Sequence, residues 1–167
     1  FQSNCDLINY CTSGNRYVVP HTGNGYAGFV PYSPGSEYRE YPQAPLTQPL
    51  IAGKCYQSSM YVTLGALSQY TIDSLGIAFT NGAVVQGIPG GTFDPGQGLV
   101  TASPQVVNDG SVDLSSSDWQ LISGQFMAAG GEDHITVGNF TPNANLTPVF
   151  IGLFTSYAYY YVDDICL

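Results

Sequence analysis

The chain's last twelve residues read "SYAYYYVDDICL", an aromatic, strand-like run that carries two adjacent carboxylates, Asp163 and Asp164. Period-two alternation sends Tyr157, Tyr159, Tyr161 and Asp163 to one face, and Ala158, Tyr160, Val162 and Asp164 to the other. If either face is core, one carboxylate is partly buried and needs a partner. The whole chain holds 3 Lys and Arg against 12 Asp and Glu. The partners left are therefore backbone N–H groups, a protonated acid or a bound cation, and a hard oxygen site suits Ca2+. The plainer reading is that the strand end reaches solvent and both acids are hydrated.

Other chemistry-bearing residues are scattered. "GEDH" (Glu132, Asp133, His134) has the composition of a metal cluster, but its place between "AAGG" and the strand-like "ITVGNF" fits a hairpin turn better. His21, in "VVPHTGNG", reads as a loop histidine with no defined nucleophile beside it. No G-x-S-x-G, H-E-x-x-H or phosphate-binding loop occurs, and no spacing selects a glycosidase-like carboxylate pair. Sugar binding would need exposed rings; Tyr26, Tyr32, Tyr38, Tyr41 and Tyr70 are the candidates, while Trp119 opens an apolar strand and reads as core.

The four cysteines, Cys5, Cys11, Cys55 and Cys166, match no zinc spacing and suggest an oxidising compartment. Of the three possible connectivities, a local Cys5–Cys11 loop with a long-range Cys55–Cys166 bridge is favoured over free buried thiols.

The elements that must position these residues are strands. No window shows helical periodicity over three turns, whereas alternation recurs, most clearly in "YQSSMYVTL", where Tyr56, Ser58, Met60, Val62 and Leu64 share a face. Further strands are expected in "GYAGFV", "EYREY" and "RYVV" near the start, and then at 74–80, 119–129, 134–140, 148–154 and the terminal segment. Gly, Pro, Asn and Asp clusters separate them, and 87–98 reads as an exposed Gly/Pro loop. Helix is confined to one turn near 114–118. The expectation is an all-β fold: one two-sheet antiparallel β-sandwich domain of about nine strands over 1–167, its first 16 residues a disulfide-looped segment.

A formal net charge of −9 removes the Lys and Arg clusters that nucleic acids and anionic membranes require. No apolar run approaches the ~20 residues of a membrane helix. A chain that begins at Phe1 without a leader reads as processed and exported.

The terminal "SYAYYYVDDICL" resembles the closing strand of jelly-roll, galactose-binding-like carbohydrate-binding modules, which end in a Tyr-rich strand and Asp-Asp. "HTGNGYAGF", "REYPQAPLTQPLIAGKCYQSSMYVTL", "IDSLGIAFT" and "WQLISGQFMAAGGEDHITVGNF" extend the resemblance to exported Bacteroidetes domains found ahead of OmpA-like or sorting domains. The resemblance implies a structural calcium on Asp163, with Asp164 the alternative. It also implies an opening Asn-Gly-Phe-Glu-like strand; this chain opens "FQSNCDLINYC" instead, so the first strand is expected to be missing or supplied by a neighbour.

Two functions fit these expectations. The first is a secreted, non-catalytic binding or adhesion module for a glycan or surface polymer. The second is a structural subunit of an extracellular filament or sheath, partnered by copies of itself through strand edges.

Overall fold

The computed structural model describes residues 6–9, 18–84, 98–108, 110–152 and 156–167, the first four as backbone only. Eleven strands are found among them: β1 (Asp6–Asn9), β2 (Gly25–Tyr32), β3 (Gln43–Pro45), β4 (Cys55–Leu64), β5 (Tyr70–Thr71), β6 (Gly76–Thr80), β7 (Val106–Val107), β8 (Gln120–Met127), β9 (His134–Gly138), β10 (Val149–Phe150) and β11 (Ala158–Cys166). One sheet runs β1-β2-β11-β4-β8, a second runs β3-β9-β6-β7, and β10 pairs with β5. All pairings are antiparallel. The expected all-β two-sheet sandwich is the observed architecture.

Alternation builds the core. From the five-stranded sheet Phe29, Met60, Val62, Leu64, Ile122, Tyr160 and Val162 point inward, and from the four-stranded sheet Ile77, Phe79, Val106 and Val137 meet them. Tyr160 is wholly buried because its hydroxyl has partners: it donates to Leu114 O at 2.8 Å and accepts Ile72 N–H at 3.2 Å. Burial pushes that phenol well above its ordinary pKa.

Several expectations change. The segment at 114–118 is turn rather than helix, and one 3-10 turn lies at Asn143–Asn145 instead. "EYREY" is not a strand. Its Arg39 is fully buried, donating to Tyr38 O at 3.0 Å, to Glu37 Oε2 at 3.2 Å and to the Asn143 side chain, so it ties this loop to the 3-10 turn. "FQSNCDLINYC" supplies an edge strand: β1 pairs with β2 from Asp6↔Gly28 to Asn9↔Gly25.

The Cys55–Cys166 bridge is absent, and both thiols are free and exposed. Register explains why: Cys166 lies opposite Ser59, four positions along β4 from Cys55. At ~3.3 Å per residue the two Cα atoms stand roughly 13 Å apart, beyond the ~7 Å limit for a disulfide. Cys5, Cys11, Arg16 and all of 87–98 except Gly98 lie outside the described residues. Among the described residues no helix is long and apolar enough to cross a membrane.

Candidate functional site

The site is built on the outer face of the five-stranded sheet. With Tyr160 and Val162 turned inward, alternation in β11 presents Tyr159 and Tyr161 outward. The Tyr159 ring lies down on the sheet because glycine lies beneath it on both sides, Gly28 in β2 and Gly65 just after β4. A Cβ at Gly28 would collide with the Tyr159 hydroxyl, and one at Gly65 would sit 2.9 Å from its Cδ1.

Rings continue from there without a break. Tyr157 and Tyr159 have centroids 6.3 Å apart, Tyr159 and Tyr161 5.4 Å, Tyr161 and Tyr26 5.0 Å, and Tyr26 and Trp119 5.9 Å. Trp119 meets His21 edge-on at 6.1 Å, and His21 stacks on Tyr61 at 3.6 Å. Edge-to-face contact dominates, the arrangement that ring quadrupoles favour. Tyr26 and Tyr161 form a buried floor, and Tyr157, Tyr159, Tyr61, Trp119 and His21 stay half-exposed.

Residues 18–22 lie against this tract, and the two aspartates hold them there. Val18 packs on the cluster, and Trp119 Nε1–H donates to Val19 O at 2.8 Å. Asp163 Oδ2 accepts the backbone N–H of His21 at 2.9 Å and of Thr22 at 3.2 Å. Asp164 Oδ2 accepts His21 Nδ1–H at 2.6 Å, and Asp164 Oδ1 accepts the Thr22 hydroxyl at 2.6 Å. The His21 and Thr22 donors hold the Asp164 carboxyl below the usual carboxylate range.

Strict alternation would put the carboxylates on opposite faces, yet both serve one loop. A bulge is the reason: β11 pairs Asp163↔Tyr61 and next Cys166↔Ser59, so it spends one more residue than β4. Asp164 takes φ 46°, the one positive φ outside glycine among the described residues, a conformation that Asp tolerates better than most residues.

These contacts also test the calcium expectation. Asp163 is ringed by three backbone N–H groups, the third from Asp164 at 2.8 Å, and N–H hydrogens point where a cation would sit. Among the described residues no three His, Cys, Asp or Glu side chains gather as a metal cluster. Among the described residues, the groups that meet Asp163 and Asp164 are hydrogen-bond donors and do not fit a calcium cage. The hairpin expected at "GEDH" is not formed: 131–133 belong to the connection from β8 to β9 in the other sheet, and His134 opens β9. Burial works to raise the Glu132 pKa, but N–H groups of its own residue, Ala129 and Gly130 outweigh it and keep the carboxyl ionised.

The tyrosines proposed from sequence disperse. Tyr41 is interior, its hydroxyl donating to Asn139 O at 2.7 Å and accepting Val100 N–H at 3.2 Å, and burial pushes it up to about 12. Tyr32 is buried edge-on to Tyr70 at 5.5 Å, beneath the Arg39 guanidinium. Tyr70 is half-buried against Phe150, and Tyr38 donates to Glu40 Oε1 at 2.8 Å. Only Tyr26 belongs to the ring tract. Trp119, expected in the core, stands on the outer face. The signal for the tract was the period-two set Tyr157, Tyr159 and Tyr161.

No family model matches this sequence, and no curated protein matches it. Among solved structures, the chain resembles the N-terminal CBM22-1–GH10 modules of Clostridium thermocellum endo-1,4-beta-D-xylanase 10B, complexed with xylohexaose. The TM-score is 0.50 at 13% identity over 98% of this chain and 24% of that one. The chain thus spans about a quarter of the xylanase chain, and the likeness at 13% identity is one of fold. The CBM22-1 xylan-binding domain of Paenibacillus barcinonensis Xyn10C gives 0.48 at 13% identity, covering 97% and 79% of the two chains. The K1 cleaved adhesin domain of Porphyromonas gingivalis Lys-gingipain gives 0.42 at 11%, covering 96% and 88%. The fold they share is a β-sandwich.

Proposed function

We propose that this chain is a non-catalytic module of an exported, cell-surface or secreted protein, and that it binds a neutral glycan or surface polymer across the ring tract. The observation that carries the reading is the row of half-exposed rings, Tyr157, Tyr159, Trp119 and Tyr61, set on a rigid sheet over the floor of Tyr26 and Tyr161. Such rings stack on the apolar faces of sugars.

Charge narrows the ligand. Arg39 is buried, and Lys54, the residue before β4, lies seven positions from Tyr61, roughly 23 Å at strand rise. With a net charge of −9 and no described cation at the tract, uronic-acid or sulfated polymers would meet repulsion.

Affinity electrophoresis through gels containing xylan, mixed-linkage glucan, galactomannan or polygalacturonate tests this. Retardation by a neutral polymer, reduced about tenfold in affinity by Tyr157→Ala or Trp119→Ala, is expected. No retardation by any neutral polymer, or retardation that both variants keep, counts against the reading.

A further inference from the structure

Among the described residues the two larger sheets have four edge strands, and three are blunted. β3 is three residues long and ends in Pro45, β7 is two residues long, and β1 is four residues long and includes Asp6. The fourth, β8, runs eight residues as "QLISGQFM" with no charge and no proline. Its register with β4 is unbroken from Gln120↔Val62 to Met127↔Cys55, so no bulge twists it away. Among the described residues no strand pairs with its far side.

Which groups line that free side follows from one bond. Ala128 N–H donates to Lys54 O at 2.9 Å, so even-numbered residues of this segment bond to β4. The N–H and C=O groups of Leu121, Ser123, Gln125 and Met127 then face away from β4. Their side chains lie on the outer face, with Leu121 44% and Met127 72% exposed.

We propose that the free edge of β8 pairs antiparallel with β8 of a second copy of this chain, about a two-fold axis through Gly124. Only this centre uses all four outward residues, placing Leu121 opposite the partner's Met127 and Ser123 opposite the partner's Gln125. Apolar meets apolar and polar meets polar, so the strand is complementary to itself. In a chain of net charge −9, it is also a long edge along which two copies approach without facing carboxylates. The pair joins two five-stranded sheets into one continuous sheet with both outer faces on the same side. An eight-residue strand pair buries less than the ~1,200 Å² of stable interfaces, so the dimer is weak and strengthens with salt as repulsion is screened.

Sedimentation velocity on the full chain across a concentration series, at low and high salt, tests the pairing without reference to any glycan. The expected result is conversion from 17.8 kDa to twice that mass as concentration rises, favoured by salt. Gln125→Pro removes an outward N–H without touching the β4 ladder and should weaken dimerisation at least tenfold, as should Leu121→Lys. The double variant Leu121→Lys/Met127→Glu, which sets opposite charges across the axis, should restore it. Circular dichroism on each variant shows whether the fold is retained. A wild type that stays monomeric at millimolar concentration, or folded single variants that dimerise as well as wild type, overturns the proposal.

Discussion

His21 Nδ1–H donates to Asp164 Oδ2 at 2.6 Å across 143 residues of sequence, joining the loop before β2 to the bulge of β11. Neither residue is deeply buried, since each side chain is 30% exposed. The bond matters through what it holds: residues 18–22 against Trp119 and Tyr61.

Acid should release this clamp. The folded pKa of Asp164 is depressed, so its contribution is complete above the unfolded value of ~3.9 and is lost as pH falls through the lower folded value. Asp164→Asn should lower Tm by a few degrees at pH 7, with the gap to wild type closing below about pH 4. Melting curves from pH 7 to 2 check this; a constant gap contradicts it.

Gly28→Ala should destabilise by about 1–3 kcal/mol, because the new methyl meets the Tyr159 hydroxyl. Tyr159→Ala in the same chain should recover much of that loss, a coupling that urea unfolding of the double-mutant cycle would measure. Additive effects would mean that the ring does not rest on Gly28.

Arg39→Ala should cost about 1.5–3 kcal/mol, since it strips charge-assisted hydrogen bonds from Asn143 and the half-exposed Glu37. A change within ~0.5 kcal/mol in chemical denaturation would place Arg39 at the surface.

Both Cys55 and Cys166 should be labelled by a maleimide under native conditions, as free and exposed thiols are. Peptide mapping that finds them linked to each other would refute the register of β4 and β11.

Chelation should leave Tm unchanged. The described groups that meet Asp163 are N–H donors rather than calcium ligands, so the expectation is that EDTA finds no ion to remove there. A drop of several degrees that calcium restores would sink this account of the aspartates.

The sequence exposed what is local and periodic. Met60, Val62 and Leu64 face the core as their spacing predicts, as do Tyr160 and Val162. What it hid depends on distant partners. The left-handed turn of Asp164 makes sense only once His21 and Thr22 arrive, and a charged Arg39 reads as surface until Asn143 and Glu37 enclose it. The resting place of Tyr159 is equally invisible, since Gly28 in β2 and Gly65 just after β4 are far apart in the sequence. Alternation also cannot report a bulge, so by itself it sends the two carboxylates to opposite faces.

β11 sits in the middle of its sheet, between β2 and β4, although it comes last in the sequence. Until residues 158–166 leave the ribosome, β1–β2 and β4–β8 are two ribbons without the strand that hydrogen-bonds them into one sheet. Folding therefore has to wait for synthesis to reach the end of this stretch, and its closing step is a slow one that zips both ribbons onto a single late strand. A nascent chain in that state can still be threaded through a translocation pore.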